Sequence, residues 1–237
     1  MLARVYLQMG AFEEAYGYAD KCLQETGSLL NYNDLDFSAS YPFPIQGEGN
    51  PEIIFYEVAS GGNLMARTRM NISDELLESY ADGDLRRQAF VLDDQSGRKI
   101  YKGSYLGSYS FFIGLATDEL YLIRAESAAH LSKLEEALAD LNYLRRHRFL
   151  FSSFTEYKTT NRFELLDFIA EERRRELPFR NRRWEDLRRW NTFMEDKRSI
   201  KRRAASVDYE LKHPDPKWTW PLPDLAIQYG EYEQNPR

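Results

Sequence analysis

Charged side chains are concentrated in one segment of this 237-residue chain, from Glu171 to Trp190. Arginines alternate there with glutamate and aspartate, and aromatic residues mark one side. Guanidinium groups at this density could contact a polyanion such as nucleic acid, lie in solvent, or pair internally with the carboxylates. The rest of the sequence shows no catalytic pattern, so the choice among these three roles bears directly on function.

Charge balance and spacing favour internal pairing. The chain has 38 Asp and Glu against 32 Lys and Arg, a net charge of −6, whereas proteins that bind nucleic acid present a basic surface. On a helix, Glu171 faces Arg174 and Glu172 faces Arg175, and the same stripe carries apolar residues, so some charges lie near the core and need partners there. We predict a structural framework, with ligand binding by this segment as the open alternative. The framework residues are Glu172, Arg175, Glu176, Trp184, Arg188 and Trp190.

The other residues that could do chemistry form no recognisable site. His130, His147 and His213 lack metal-ligand spacing, and the lone Cys22 lies among apolar residues of a predicted helix. The sequence has no phosphate-binding loop, nucleophile elbow or zinc-protease motif. We therefore predict no catalytic residue, no metal site and no cofactor. A carbohydrate-active enzyme stays as an unsupported third class, because a glycosidase needs only two carboxylates across a cleft.

Two helix pairs in the sequence resemble one another. The first, over residues 1–27, has apolar residues at helical spacing on both sides of Gly10, and the second, over residues 118–148, repeats this on both sides of Ser132. At a separation of 122 residues Gly10 aligns with Ser132, and the two Glu-Glu-Ala sequences coincide. Small residues at helix crossings and a short turn before Glu-Glu-Ala are typical of tetratricopeptide repeats, which bury their faces by stacking.

The remaining elements are less regular. Residues 28–117 are predicted to form an irregular insert that carries the ligand region. Its predicted elements are a strand at 51–58, a short helix at 73–80 and a hairpin of 88–92 with 98–102. Arg-rich framework helices are predicted within 161–193, at 161–177 and 184–193, followed by an extended tail at 194–237 with an exposed basic linker at 197–203. The predicted fold class is mostly α, with tetratricopeptide-like helical repeats beside a loop-rich region containing short strands.

Several motifs taken together resemble the SusD/RagB family. They are, in chain order, Leu2 to Leu23, Tyr32 to Leu35, Asn50 to Phe55, Tyr121 to Glu126 with Leu134 to Asn142, Glu171 to Leu177 with Arg183 to Trp190, Trp220 to Pro223, and Gln234 to Pro236. The set covers nearly the whole chain in the family's order. Pro178 to Asn181 departs from the family pattern, and we expect Pro178 to end the helix and Asn181 to take a glycine's role in the turn.

Members of this family are surface lipoproteins of the outer membrane that bind glycans or other nutrients and act as lids on TonB-dependent transporters. The resemblance implies an α-α superhelix of SusD type, binding without bond cleavage, and an oligosaccharide or other nutrient as ligand. It also implies one domain over residues 1–237 that lacks its N-terminal half, since family members are about twice as long. The lipid anchor would belong to that missing region, because the sequence has no signal peptide and no apolar run of ~20 residues.

Ligand contacts are expected in the irregular region, where aromatic rings can stack on sugar faces and polar side chains can bind hydroxyl groups. The candidates are Tyr41, Phe43, Asn63, Arg67, Tyr105 and Tyr109. The chief alternative function is a tetratricopeptide-type scaffold that binds a protein partner in a concave groove. Neither reading includes a nucleic-acid partner.

Overall fold

The computed structural model of the chain describes residues 1–59, 62, 66, 70–204 and 206–237. Contacts divide the chain into two compact units, residues 1–183 and 184–237. Helices predominate and the strands are short, which confirms the predicted fold class. Among the described residues, no helix combines the length and the apolar character needed to cross a bilayer. The single domain and its subdivisions stay predictions.

The first unit is built mainly from helices, with short antiparallel strand pairs beside them. Its helices are α1 (Leu2–Met9), α2 (Phe12–Glu25), α3 (Asp74–Ser79), α4 (Arg86–Phe90), α5 (Thr117–His130), α6 (Leu134–Arg146) and α7 (Arg162–Glu176). Its described strands are β1 (Ile53–Phe55), β2 (Val58–Ala59), β3 (Val91–Asp93), β4 (Lys99–Tyr101), β5 (Phe111–Phe112) and β6 (Leu115–Ala116). They pair antiparallel as β1 with β6, β2 with β5, and β3 with β4.

The two predicted helix pairs are α1–α2 and α5–α6, and their turns have the same backbone geometry. Gly10 ends α1 with φ 74° and Ser132 follows α5 with φ 63°, both in the left-handed region. The N–H of Gly10 donates to Leu7 and that of Ser132 to Ala129, each at 3.1 Å. Leu7 and Ala129 are again 122 residues apart, so the structure confirms the repeat at the level of single hydrogen bonds.

Helix α5 lies at the centre of the first unit. It contacts α1, α2, α6 and α7. Leu120 and Ile123 pack with Ala15 and Ala19 of α2, whose small side chains allow the two helices to approach closely. Leu122 packs on the opposite side, against Leu144 and Leu177. Consequently most of α5 is buried, including several of its charged residues.

One predicted strand in the irregular region is partly helical. The strand expected at 88–92 begins only at Val91, because Arg86–Phe90 forms helix α4. Leu85 and Ala89 lie four residues apart and both enter the aromatic core, which suits a helical turn and not an alternating strand. From Val91 onward the predicted hairpin is present, with Val91 opposite Tyr101 and Asp93 opposite Lys99.

Helix α7 begins and ends as its sequence indicates. The side chain of Asn161 accepts hydrogen bonds from the N–H groups of Phe163 at 2.9 Å and Glu164 at 3.4 Å. The helix ends at Glu176, before Pro178. Asn181 then has φ 60°, so it occupies the left-handed conformation expected of a residue that replaces glycine.

The second unit contains a hairpin where a linker and an extended tail were expected. Its elements are α8 (Arg183–Phe193), β7 (Ile200–Ala204), β8 (Val207–Leu211) and α9 (Asp224–Gly230). The basic run at 197–203 therefore contributes most of a strand. Side chains of alternate residues point to the same face, so Lys201 lies 4.0 Å from Glu210 and Arg203 lies 3.6 Å from Asp208 across the hairpin.

Candidate functional site

Aromatic side chains form the core beneath the irregular region, and two predicted ligand residues belong to it. Phe43 is 3% exposed and Tyr105 is 1% exposed, and their ring centroids are 5.3 Å apart. Stacking on a sugar requires an open ring face, which neither residue offers. Phe43 and Tyr105 therefore pack in the core in this structure, and their predicted contact with a ligand stays a prediction.

A network of buried ion pairs lies next to this core, and Arg86 is one of its centres. Its guanidinium donates to both carboxylate oxygens of Asp84, Nε to Oδ1 at 2.8 Å and Nη2 to Oδ2 at 2.6 Å. Nη1 donates to Glu172 at 2.6 Å and to Glu176 at 3.0 Å. Arg86 is fully buried, so these contacts replace its hydration.

Arg148 is the second centre. Its Nε donates to Glu176 at 2.7 Å, and its Nη2 lies 2.9 Å from both carboxylate oxygens of Glu52. The remaining nitrogen, Nη1, donates to the carbonyl of Leu30 at 2.8 Å. Glu176 thus connects Arg86 to Arg148, and α7 is linked through both arginines to the irregular region.

Asp118, at the first turn of α5, completes the network. Arg180 Nη1 donates to Asp118 Oδ1 at 2.9 Å, and the guanidinium of Arg180 lies 4.3 Å from the ring centroid of Tyr105. The Tyr105 hydroxyl reaches Asp118 Oδ2 at 3.0 Å and also contacts Glu52 Oε2. The charge network is defined here as Glu52, Asp84, Arg86, Asp118, Arg148, Glu172, Glu176 and Arg180.

The buried carboxylates have opposite pKa shifts. Burial alone would raise the pKa of Glu172, but Arg86 and Arg175 outweigh it and lower the pKa to about 2. Burial raises the pKa of Glu52 to about 7, since Arg148 offsets only part of the lost hydration. The pKa of Asp118 is also raised by burial, against the effect of Arg180.

The oxygens of Glu52, Asp118 and Glu176 lie within 4.8 Å of one another, a spacing that could suit a cation. Arg148 and Arg180 already direct guanidinium groups at all three carboxylates. Positive charge is therefore supplied by the chain itself, and we assign no metal ligand there.

The predicted framework residues have different surroundings. Arg175 Nη2 pairs with Glu172 at 2.7 Å, as the helical spacing indicates. In the second unit, the Trp184 ring stacks on Trp218 at 5.1 Å, and Arg198 lies 3.9 Å from the Trp190 ring centroid. The side chain of Arg188 is exposed to solvent.

Two of the predicted ligand residues lie at the surface of the irregular region. Tyr41 and Tyr109 are half-buried; Tyr109 belongs to the loop of residues 102–110 that joins β4 to β5, and Tyr41 lies beside that loop. A Cβ added at Gly103 would lie 3.1 Å from Cδ1 of Tyr41 and 2.5 Å from the carbonyl oxygen of Ser108. Gly103 has φ 140°, so this close approach depends on glycine. We call Tyr41 and Tyr109 together with the 102–110 loop the tyrosine surface.

The core and the charge network anchor this loop from beneath. Tyr109 packs beside Tyr101 at 6.0 Å and beside Phe111 at 5.7 Å between ring centroids. Tyr105, in the middle of the loop, contacts Glu52 and Asp118 through its hydroxyl. The Lys102 amine donates to the carbonyl of Phe37 at 3.0 Å. Predicted residues Asn63 and Arg67 lie outside the described residues.

Sequence reasoning missed most partners in the network. No predicted site includes Asp84, Arg86 or Arg148. Arg86 and Glu172 are 86 residues apart, and Arg148 and Glu52 are 96 apart. The local helical spacing that reveals the pairing of Glu172 with Arg175 cannot report such distant contacts.

Known proteins resemble this chain in sequence and in fold. The SusD family profile matches residues 93–236. A SusD superfamily protein from Bacteroides thetaiotaomicron has a TM-score of 0.71 and 20% identity, over 100% of this chain and 59% of that chain. A SusD-like carbohydrate binding protein from Bacteroides vulgatus has a TM-score of 0.62 and 20% identity, over 89% of this chain and 49% of that chain.

Surface glycan-binding protein A from Bacteroides thetaiotaomicron has a TM-score of 0.64 and 18% identity, over 98% of this chain and 61% of that chain. At these identities the structural likeness concerns the fold. The match spans about half the length of the Bacteroides vulgatus protein. No curated protein matches the chain.

Proposed function

Because the chain belongs to the SusD family, we propose that it is the glycan- or nutrient-binding component of an outer-membrane uptake system. It captures an oligosaccharide at the cell surface without cleaving it and delivers the ligand to a TonB-dependent transporter. The likeness to a SusD-like carbohydrate binding protein and to a surface glycan-binding protein supports this assignment.

The tyrosine surface is the site we propose for this chain's contribution to binding. Tyrosine offers a flat apolar face and a hydroxyl, which together suit the apolar face and the hydroxyl groups of a sugar. Tyr41 and Tyr109 are half-buried, so each has part of its surface accessible while packing restricts its rotamers. Less side-chain entropy is then lost when a ligand binds.

The observation that carries this proposal is the anchoring of the 102–110 loop. Tyr105 holds the centre of the loop through buried hydrogen bonds, and the N–H of Gln46 donates to the Leu106 carbonyl at 2.7 Å. A loop fixed at several points presents its tyrosines in a defined geometry before ligand arrives. Asn63 and Arg67 stay in the proposal as polar contacts within the same irregular region.

Affinity gel electrophoresis with a panel of polysaccharides tests the proposal. We expect retarded migration on at least one polysaccharide and no release of shorter products. Tyr41→Ala and Tyr109→Ala should each weaken that binding by about tenfold or more, as for a residue at the centre of a contact surface. Tyr229→Ala is the matched control, because Tyr229 is 80% exposed and lies in the second unit.

The alternatives give different outcomes in the same experiment. Cleavage products would indicate a carbohydrate-active enzyme. Binding of peptides with no retardation on any glycan or other nutrient would favour the tetratricopeptide-type scaffold. Retardation that survives both tyrosine substitutions would place the glycan elsewhere on the chain and reject the tyrosine surface.

A further inference from the structure

The hydroxyl of Tyr105 lies between two buried carboxyl groups. Its oxygen contacts Glu52 Oε2 on one side and lies 3.0 Å from Asp118 Oδ2 on the other. All three side chains are buried, Glu52 and Asp118 completely. The Tyr105 hydroxyl is hydrogen-bonded to both carboxyl groups, and each of these bonds requires a hydrogen atom between its two oxygens.

A tyrosine hydroxyl carries one hydrogen and an ionised carboxylate carries none. Tyr105 can therefore donate to only one of its two carboxylate neighbours. The other contact needs a second proton, which must sit on a carboxyl group that donates to the tyrosine oxygen. We infer that the Glu52–Tyr105–Asp118 trio holds one additional proton at neutral pH, carried by Glu52.

The surrounding charges support an uncharged member of the trio. The titratable and charged groups that face it are Arg148, Arg180, Glu176 and Tyr32. Arg148 is shared between Glu52 and Glu176, and Arg86 is shared among Asp84, Glu172 and Glu176. The five buried carboxyl groups, Glu52, Asp84, Asp118, Glu172 and Glu176, therefore pair with four guanidinium groups, those of Arg86, Arg148, Arg175 and Arg180. One carboxyl group in excess of the available cations is best buried in its protonated form.

The two carboxyl groups differ in their other hydrogen-bond donors. Asp118 Oδ1 accepts from Arg180 at 2.9 Å and from the N–H of Glu119 at 2.7 Å, at the start of helix α5. The dipole of that helix also favours negative charge at this end. Glu52 Oε1 also accepts from a backbone N–H, that of Leu30 at 2.7 Å, but Glu52 lies at no helix terminus and shares Arg148 with Glu176. Burial raises the pKa of Glu52 to about 7, in agreement with this placement.

Proton loss has a direct structural consequence. Ionisation of Glu52 leaves two carboxylates competing for one tyrosine hydrogen at the anchor of the 102–110 loop. The folded state then loses stability as the pH rises through the folded pKa of Glu52, because the folded state binds the proton more tightly than the unfolded chain.

The experiment measures stability and protonation in the same protein. We expect the unfolding constant of the wild type to rise by up to tenfold per pH unit between about pH 5 and about pH 7 from this one proton. Glu52→Gln imitates the protonated acid and should remove that contribution. Asp118→Asn removes the competing carboxylate and should weaken that contribution, whereas Glu48→Gln, at an exposed glutamate, is the matched control and should retain it.

Infrared spectroscopy of the wild type gives a second readout that needs no variant to fold. At neutral pH we expect the C=O stretching band of a buried carboxylic acid, which disappears when the pH is raised and is missing in Glu52→Gln. If Asp118→Asn removes the pH dependence and Glu52→Gln does not, the proton is not on Glu52. A wild type with neither the band nor the pH dependence would overturn the inference altogether.

Discussion

Glu172 accepts hydrogen bonds from two arginines while being 1% exposed. Replacing it with alanine leaves Arg86 short of one buried partner and Arg175 without its local one. Loss of one member of a buried ion pair costs about 3–5 kcal/mol, most of it from the charge left behind. We expect Glu172→Ala to lower the melting temperature strongly at neutral pH, in thermal unfolding followed by circular dichroism.

Acid pH provides the internal control for this prediction. The pKa of Glu172 is lowered to about 2, below the value of about 4.3 expected for an unfolded chain. Its contribution is therefore complete above the unfolded value and is lost as the pH falls toward 2, so the difference between wild type and variant should shrink in acid. An unchanged melting point together with lost glycan binding would instead make Glu172 a ligand residue.

The sequence alone predicts the contacts of some single residues but not of others. Pairing of Glu172 with Arg175 follows from helical spacing alone. The burial of Phe43 and Tyr105 cannot be predicted in this way, because a loop sequence does not indicate which side of the loop faces the core. Tyrosines 41, 105 and 109 are chemically identical in the sequence, and only packing separates Tyr105, the anchor, from the two at the surface.

At the scale of the element, the repeated helix pairs give a matched experiment. Gly10 and Ser132 occupy equivalent left-handed turn positions, which cost an L-residue about 1–2 kcal/mol but cost glycine little. We expect Ser132→Gly to stabilise the chain by about 0.5–1 kcal/mol, after the extra entropy of glycine in the unfolded state is subtracted. Gly10→Ala should destabilise it by a similar amount.

Urea denaturation of the two variants measures both changes. Ser132→Gly should stabilise and Gly10→Ala destabilise, whereas helix propensity alone predicts the reverse sign for each substitution. Destabilisation by both substitutions would show that the Ser132 hydroxyl stabilises its turn more than the left-handed backbone costs.

The sequence predicted best those elements in which the apolar spacing repeats over several turns. Both helix pairs and α7 follow from apolar spacing over several turns, with end signals at Asn161 and Pro178. Helix α4 and strand β7 were not recognised. Five residues carry too little periodicity to separate a helical turn from a strand, and a basic run indicates a strand only once its acidic partners across the hairpin are known.

At the scale of the whole molecule, an apolar stripe on α1 affects how the chain behaves in solution. Leu2, Val5 and Met9 are 49%, 44% and 65% exposed and lie on one side of the helix. At the repeat separation Leu2 corresponds to Arg124 of α5, which pairs with Asp20 of α2 at 2.6 Å. The first position of the stripe thus corresponds to a residue of α5 that is paired with its neighbouring helices.

We expect this 237-residue chain to self-associate through that stripe as its concentration rises. The double substitution Leu2→Glu and Val5→Lys should shift sedimentation toward the monomer and leave the melting temperature nearly unchanged. Ile45→Lys, at a similarly exposed but separate position, is the control. Association that is equal in all three proteins would mean that the stripe takes no part in it.

Helix α5 has neighbours on nearly every side, whereas Tyr41 and Tyr109 lie on loops at the surface. A substitution on α5 must be accommodated by several helices at once, whereas the side chains at positions 41 and 109 are partly open to solvent. The molecule therefore separates the residues that can vary from those that cannot. Substitutions at a few loop residues could therefore change which ligand is bound and leave the packing of the helices unchanged.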